Sequence, residues 1–432
     1  MNGYESHGVQ ELAHDLPTPA AEAPATTGRW RDLLGATLRP AVLRALRDWQ
    51  AGRLTVHLPD GTVHAVGGAD AEPHATLRVA RDAFFADFVL RGDIGAGESY
   101  MAGDWSTDDL PTFVELALLN QQAVGRDDSW ITALMNVPND VAHWLRRNTR
   151  QGSRRNIQRH YDLSNDLFAL FLDPSMTYSA AVFDSPGEDL TRAQERKFAR
   201  FGEALRLGPA DHVLEIGCGW GAFAMYAART YGCRVTGITI SREQFDLATS
   251  RVAAASLGDR VDVRLCDYRD VTGAFDKIVS IEMLEAVGRE HWPVFFAACD
   301  ERLRPGGLVG IQTISMPDDR FEAYARHCDW IQKYIFPGGL LPSISELCRA
   351  MAGRTRFTLR RVDDIAPHYA TTLARWRSTF FSRVDDVRAL GFDDRFIRMW
   401  DFYLATCEAA FRTRFLGTLQ LVIGRAGERP VP

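Results

Sequence analysis

The chain reads as an α/β protein in two parts, a parallel sheet covered by helices preceded by a small α+β domain. Three observations predict this. Beyond about residue 205 strand-like and helix-like runs alternate repeatedly, the pattern of parallel strands joined by helices. One of those strands runs directly into the glycine-rich turn VLEIGCGWG. Between residues 30 and 122 an alternating hairpin gives way to helical patterns. At 432 residues the chain is long enough for two cores.

Residues 1–28, around LPTPAAEAPATTG, hold too few large apolar groups to offset the entropy of ordering them, which predicts a disordered leader. RLTVHLPDGTVHAV then alternates apolar and polar residues around an Asp60-Gly61 turn, and HATLRV offers a further strand. AFFADFVLRGDIGAGESYMAGDW is expected to mix a helical stretch with a glycine-rich turn, and DDLPTFVELALL to open a helix on its acids. The small domain is set at 29–125, a linker at 126–160 and the second domain at 161–428. The linker holds Arg146, Arg147, Arg150, Arg154, Arg155 and Arg159 with no acid among them. It reads either as a solvated segment or as a landing patch for anionic lipid headgroups, with Trp144 and Leu145 adding interfacial contact.

In the second domain HVLEIG, RVTGITI, VDVRLCD, KIVSIEM and LVGIQTI read as strands, with GAFAMYAART and REQFDLATSRVAAA as helices between them. Two helical stripes follow, Leu373, Trp376, Phe380, Val384 and Val387, then Phe396, Met399, Trp400, Tyr403, Leu404, Cys407 and Phe411. They suit a core, or the walls of a channel for something oily. TLQLVIGR closes the chain as a strand.

Fifty basic against fifty-six acidic side chains give a net charge of -6, which argues against a general electrostatic grip on nucleic acid. The seven cysteines form no CxxC pair, so neither a disulfide framework nor a metal site is expected, and a reducing cytoplasm fits. No apolar run is long enough to span a bilayer, and Glu5, Glu11 and Asp15 stand where a signal peptide needs a basic and then apolar start.

Gly217, Gly219 and Gly221 lie between a strand and a helix, where bare backbone can pass close to a ligand at the sheet's carboxyl edge. The loop alone also satisfies a dinucleotide fingerprint. Glu215 before it, the lack of an acid after RVTGITI, and Asp267-Tyr268 ending the third strand favour S-adenosylmethionine. Asp267 and Tyr268 suit an adenine amine and its ring face, and Thr239 and Gln244 are left as neutral partners for the ribose.

QRHYDLSNDLFALFLDPSMTYS, VLEIGCGWG, GITISREQ, IVSIEMLEAVG, WIQKYIFPGGLLPS and HYATTLARW, in this order, resemble the cyclopropane fatty acid synthases and the related mycolic and methyl-branched lipid methyltransferases. The likeness covers about residues 155–425, and GESYMAGDW is similar to the amino-terminal part of the longer synthases. It implies a Rossmann-like methyltransferase with a helical cover enclosing a lipid tail, working from the cytoplasmic face of a membrane on an unsaturated phospholipid, often as a homodimer. Tyr178 and Ser179 would meet the methionine part of the cofactor. A bicarbonate ion would be the base, held by Glu285, Tyr369, the position of Gln312, and backbone near Ala180 and Ile314.

Two departures matter: Ala180 stands where the family often has cysteine, and Gln312 where it has histidine. Alanine keeps the backbone amide, whereas glutamine cannot carry a proton onward. The expected product is a cyclopropane, with a methylene or methyl branch from the same cation as the alternative. A methyltransferase for a soluble amine or phenol and a non-catalytic lipid-binding module are the other readings. His160 and His368 flank matched motifs but read as structural residues.

Overall fold

The computed structural model describes residues 25–120, 164–185 and 187–428. The basic segment, Trp144, Leu145 and His160 lie outside the described residues, as does the leader up to residue 24. The first element, α1 (Ala25–Ala45), begins three residues before the expected end of the leader.

In the first part β1 (Arg53–His57) and β2 (Val63–Gly67) form the expected antiparallel hairpin. β3 (His74–Val79) adds parallel to β1, and β4 (Trp105–Thr107) antiparallel to β3, giving the order β2-β1-β3-β4. The expected glycine-rich turn is instead a kink at Gly92, φ +56°, within α2 (Ala83–Ala102). Gly95 and Gly97 remain helical, and their neighbours leave no room for a side chain: a Cβ on Gly95 would lie 2.0 Å from the Asp87 carbonyl oxygen, and one on Gly97 2.4 Å from Trp330 Nε1. α3 (Leu110–Leu119) starts as expected, with the Asp109 side chain accepting from Thr112 N.

The second part carries α4 (Asn165–Phe171), α5 (Leu190–Leu205), β5 (His212–Ile216), α6 (Ala222–Tyr231), β6 (Arg234–Thr239), α7 (Arg242–Ala254), β7 (Val261–Leu265) and β8 (Phe275–Ile281). Then come α8 (Trp292–Arg302), β9 (Leu303–Ser315), α9 (Asp318–Tyr324), α10 (Trp330–Tyr334), α11 (Ile344–Ala352), β10 (Phe357–Asp364), α12 (Ala366–Ser382), α13 (Val384–Ala389), α14 (Asp394–Arg412) and β11 (Gly417–Arg425). The strand order is β10-β11-β9-β8-β5-β6-β7. β5 to β9 are parallel, as the alternation predicts, while β10 and β11 join antiparallel at one edge. The order reverses beside β5, which opens a crevice at the carboxyl edge where its glycine loop lies. Val384 and Val387 fall in a separate short helix rather than continuing α12.

The two parts are clamped through the motif GESYMAGDW. Tyr100 Oη donates to Asp401 Oδ2 at 2.6 Å, Arg398 Nη2 donates to the Trp105 carbonyl at 2.9 Å, and Lys333 Nζ reaches Glu98 Oε1 at 2.6 Å. Gly97 seats against Trp330, the first residue of WIQKYIFPGG, so two motifs far apart in sequence meet in one contact. No helix among the described residues is long and apolar enough to cross a membrane.

Candidate functional site

β5 ends in Gly217-Cys218-Gly219-Trp220-Gly221, whose three glycines have φ of +80°, +51° and +83°. Side chains pay strain in that region, and glycine does not. The amides of Gly217 and Cys218 both donate to the Ile238 carbonyl, folding the loop onto β6. A Cβ on Gly217 would stand 2.7 Å from Met283 Cγ, whereas one on Gly219 meets nothing within 4 Å among the described residues. The space beyond Gly219 is a cradle open to a ligand.

The residues assigned to the cofactor surround that cradle. Glu215 is buried, its Oε2 has no hydrogen-bond partner among the described residues, and burial pushes its carboxyl well above the usual range. A cationic donor such as the cofactor's amino group would satisfy it. Thr239 Oγ1 donates to Gln244 Oε1 at 2.7 Å, which brings the two proposed ribose partners together. Asp267 and Tyr268 line the same cavity, but the Asp267 carboxylate binds Arg269 through Nε at 2.8 Å and Nη2 at 2.6 Å. The expectation that it serves an adenine amine must therefore share that carboxylate with a guanidinium. Tyr178 Oη lies 2.7 Å from Tyr403 Oη, and Ser179 Oγ accepts from Lys197 Nζ at 2.6 Å.

Lys197 escaped the sequence reading. It is fully buried on α5, faces the charges of Glu282, Asp173 and Glu215, and burial pushes its ammonium down to about 7. The signal was available: Ala193, Gln194, Phe198, Phe201 and Leu205 form the buried face of this helix, and Lys197 falls among them.

The other missed residue is Glu282, which follows β8. Its φ is +50°, a strained conformation for a non-glycine residue that costs on the order of 1–2 kcal/mol. Its amide donates to the Gln312 carbonyl at 2.8 Å. Glu282 Oε1 accepts from Ala180 N at 2.9 Å and Gln312 Nε2 at 2.8 Å, and Oε2 accepts from Tyr369 Oη at 2.7 Å. These are three of the groups expected to hold bicarbonate. The fourth, Ile314 N, donates to Glu285 Oε1 at 2.5 Å, together with Thr313 Oγ1 at 2.9 Å. The expected anion site is thus filled by the chain's own carboxylates, and a bicarbonate ion does not fit the donors that remain.

Glu285 Oε2 has no partner among the described residues, and burial beside Glu282 pushes the Glu285 carboxyl up to about 8. Ala180 and Gln312, both wholly buried, stand behind Glu282 rather than on the cavity wall. His368 accepts from Phe183 N at 3.3 Å and has the structural part expected of it.

Glu282, Glu285, Ile314, Tyr178, Tyr369 and Tyr403 line a cavity of about 1260 Å³. It runs from the glycine loop to Leu54, Val56, Leu77 and Phe85 of the first part. The aromatic stripes serve both roles considered for them. Leu373, Tyr403, Cys407 and Phe411 line the cavity, while Trp376, Phe380, Val387 and Trp400 are wholly buried core. Tyr369 stacks on Phe411 at 4.5 Å.

The family model for mycolic acid cyclopropane synthetase matches residues 148–421. Tuberculostearic acid methyltransferase UfaA1 of Mycobacterium tuberculosis is 43% identical over 389 residues, covering 87% of this chain and 90% of that protein. Cyclopropane-fatty-acyl-phospholipid synthase of Escherichia coli strain K12 is 36% identical over 361 residues, covering 82% and 89%. Among solved structures, mycolic acid cyclopropane synthase CmaA1 complexed with SAH and CTAB superposes with a TM-score of 0.59 at 33% identity, over 62% of this chain and 97% of that one.

Proposed function

Because the chain belongs to the mycolic acid cyclopropane synthetase family, we propose that it transfers a one-carbon unit to the cis double bond of an unsaturated phospholipid acyl chain, closing a cyclopropane ring. Membership makes it an S-adenosylmethionine-dependent C-methyltransferase of lipids with a Rossmann-like fold. The observation that carries the finer reading is the single cavity that joins the glycine loop to an apolar interior. A small polar acceptor needs no such interior, which weighs against a soluble amine or phenol. The complete constellation of Glu215, Glu282, Glu285 and Tyr369 weighs against a non-catalytic module.

When bound, S-adenosylmethionine supplies an electrophilic methyl group. The chain's residues do the rest. The loop at Gly219 and the Glu215 carboxyl would hold the cofactor on the same cavity wall as Tyr178 and Ser179, and the apolar walls would orient the alkene towards its methyl group. Tyr178, Tyr369 and Tyr403 line the cavity with aromatic rings, which would stabilise positive charge on the acyl chain without capturing it. The same walls exclude water, which would trap that charge as an alcohol. No step is routed through bicarbonate, whose expected donors bind Glu282.

A second reading, a methyl-branched product from the same cation, is favoured by the 43% identity to the tuberculostearic acid enzyme. The membrane surface enters through the arginine-rich stretch, which would bring the enzyme to anionic headgroups. Mass and resonance analysis of lipids from a host expressing the chain tests the proposal. A ring, a branch or an unmodified lipid pool would each be distinguished, and an unmodified pool would sink it.

A further inference from the structure

The donors expected to grip a small anion grip a carboxylate that the chain itself supplies. Their polarity can be read from the network behind them. Arg200 can only donate, so its Nε, 3.1 Å away, requires Gln420 to present Oε1. Gln420 Nε2 then donates to Gln312 Oε1 at 3.0 Å, which leaves Gln312 Nε2 to donate to Glu282 Oε1. The Ala180 amide, also a donor only, points at the same oxygen. Two donors on one oxygen leave no place there for a proton, so a neutral Glu282 would have to carry its proton on Oε2, in place of the hydrogen bond accepted from Tyr369.

The surroundings divide charge between two neighbouring acids. Burial raises the Glu282 carboxyl above its ordinary range, and three accepted hydrogen bonds together with the nearby Lys197 oppose that rise. Glu285 accepts two hydrogen bonds on Oε1, has none on Oε2 among the described residues, and is held towards its neutral form by burial and by Glu282. Of the two acids, Glu282 has the surroundings better suited to a charge. It lines the cavity between the glycine loop and Tyr369, and its backbone is held in the left-handed region, which is where strain gathers at working sites.

We propose that the Glu282 carboxylate is the base of the reaction, a built-in replacement for the bicarbonate ion that the family resemblance implies. This rests on the alkene reading of the preceding section. In that reaction a carbon–carbon bond forms between the transferred methyl and one alkene carbon as the carbon–sulfur bond breaks, its electron pair staying on sulfur. The other alkene carbon is left positive. A C–H bond of the new methyl then breaks, its electrons close the third side of the ring, and the proton goes to Glu282. The resulting neutral acid returns its proton to solvent after the product leaves, so the cycle needs no oxidant, reductant or external anion. Glu282 Oε2 accepts one hydrogen bond, from Tyr369, and a carboxylate oxygen has capacity for a second proton donor.

The experiment follows methylated lipid formed on vesicles of an unsaturated phospholipid, in buffer freed of carbon dioxide or supplemented with bicarbonate or formate. Wild-type turnover is expected to agree within twofold in all three buffers. Glu282→Gln keeps the shape but cannot accept the proton, so turnover should fall at least 100-fold. Its affinity for S-adenosylmethionine by calorimetry should stay within threefold of wild type, which also reports that the variant is folded. Glu282→Ala leaves three donors facing a hole. It should be inactive in carbon dioxide-free buffer and gain at least tenfold from bicarbonate or formate. Wild-type turnover that drops tenfold when bicarbonate is removed, a Glu282→Gln variant as fast as wild type, or a Glu282→Ala variant that neither anion revives would overturn the assignment. Wild-type protein that makes no methylated lipid in any buffer would overturn the alkene reaction itself.

Discussion

Gln420 Nε2 lies 3.0 Å from Gln312 Oε1, and this contact, together with the Ala180 carbonyl that accepts from Gln312 Nε2 at 3.2 Å, decides which end of the Gln312 amide meets Glu282. A hydrogen bond to a charged group contributes about 1.5–3 kcal/mol, and its loss raises the pKa of the acceptor. Gln312→Leu should therefore lower turnover at neutral pH by about 10–100-fold. Gln420→Leu, which leaves the Ala180 carbonyl to hold the Gln312 amide in place, should lower it less. Single-turnover rates of the two variants check the order, and equal rates would show that the orientation of Gln312 is immaterial.

Lys197 is the buried cation nearest this charge network. Lys197→Met removes the ammonium that favours ionised Glu282, so Glu282 should take up a proton at higher pH. The acid limb of the pH–rate profile should move upward by about one unit. A limb that stays in place while turnover falls would leave Lys197 with the Ser179 contact alone.

Glu285 links pH to stability. Its carboxyl is pushed from an ordinary 4.5 up to about 8, so between these values the unfolded chain has released a proton that the folded chain keeps. Its stabilising contribution is complete below 4.5 and declines as pH rises to about 8, by at most about 1.4 kcal/mol per unit. Glu285→Gln lacks that proton and should gain on wild type steadily from pH 5 to 8. Urea midpoints at several pH values measure this, and parallel curves would refute it.

The glycine loop separates binding from folding. Gly219→Val projects into the cradle and adds strain of about 1–2 kcal/mol, so the protein should fold yet lose most of its affinity for S-adenosylmethionine. Gly217→Ala instead drives a Cβ to 2.7 Å from Met283 and should chiefly lower the melting temperature. Calorimetry together with thermal melts distinguishes them. Unchanged affinity in folded Gly219→Val would remove the cofactor from this loop.

On the landing-patch proposal, Arg146, Arg147, Arg150, Arg154 and Arg155 would supply the charge for a lipid surface. Turnover on anionic vesicles should fall as salt shortens the Debye length below about 8 Å, while turnover on neutral vesicles should be low throughout. Equal rates on both kinds of vesicle at low salt would leave these arginines as a solvated linker.

The sheet and its ligand edge were legible because buried parallel strands are continuous apolar runs, and VLEIGCGWG joins one of them to a helix. β10 was not legible. FTLRRVDD lies at the sheet edge, where Arg360, Arg361 and Asp364 are exposed and no clean alternation survives. Glu285 was found from its motif, but Glu282, three residues earlier, was passed over, since only its left-handed backbone and the register of Gln312 opposite it bring the carboxylate onto Ala180 and Tyr369. Spacing along a chain reports neighbours on one element, and this site is closed by four.

The cavity of about 1260 Å³ crosses from the methyltransferase sheet into the first part, with walls drawn from both. Such walls, if bare, forgo the dispersion contacts that hold ordinary cores together, and water satisfies little of that surface. The protein is therefore expected to copurify with acyl chains and to melt at a lower temperature once stripped of them. A copurified lipid would make the resting form a complex, with each catalytic cycle exchanging one guest for another.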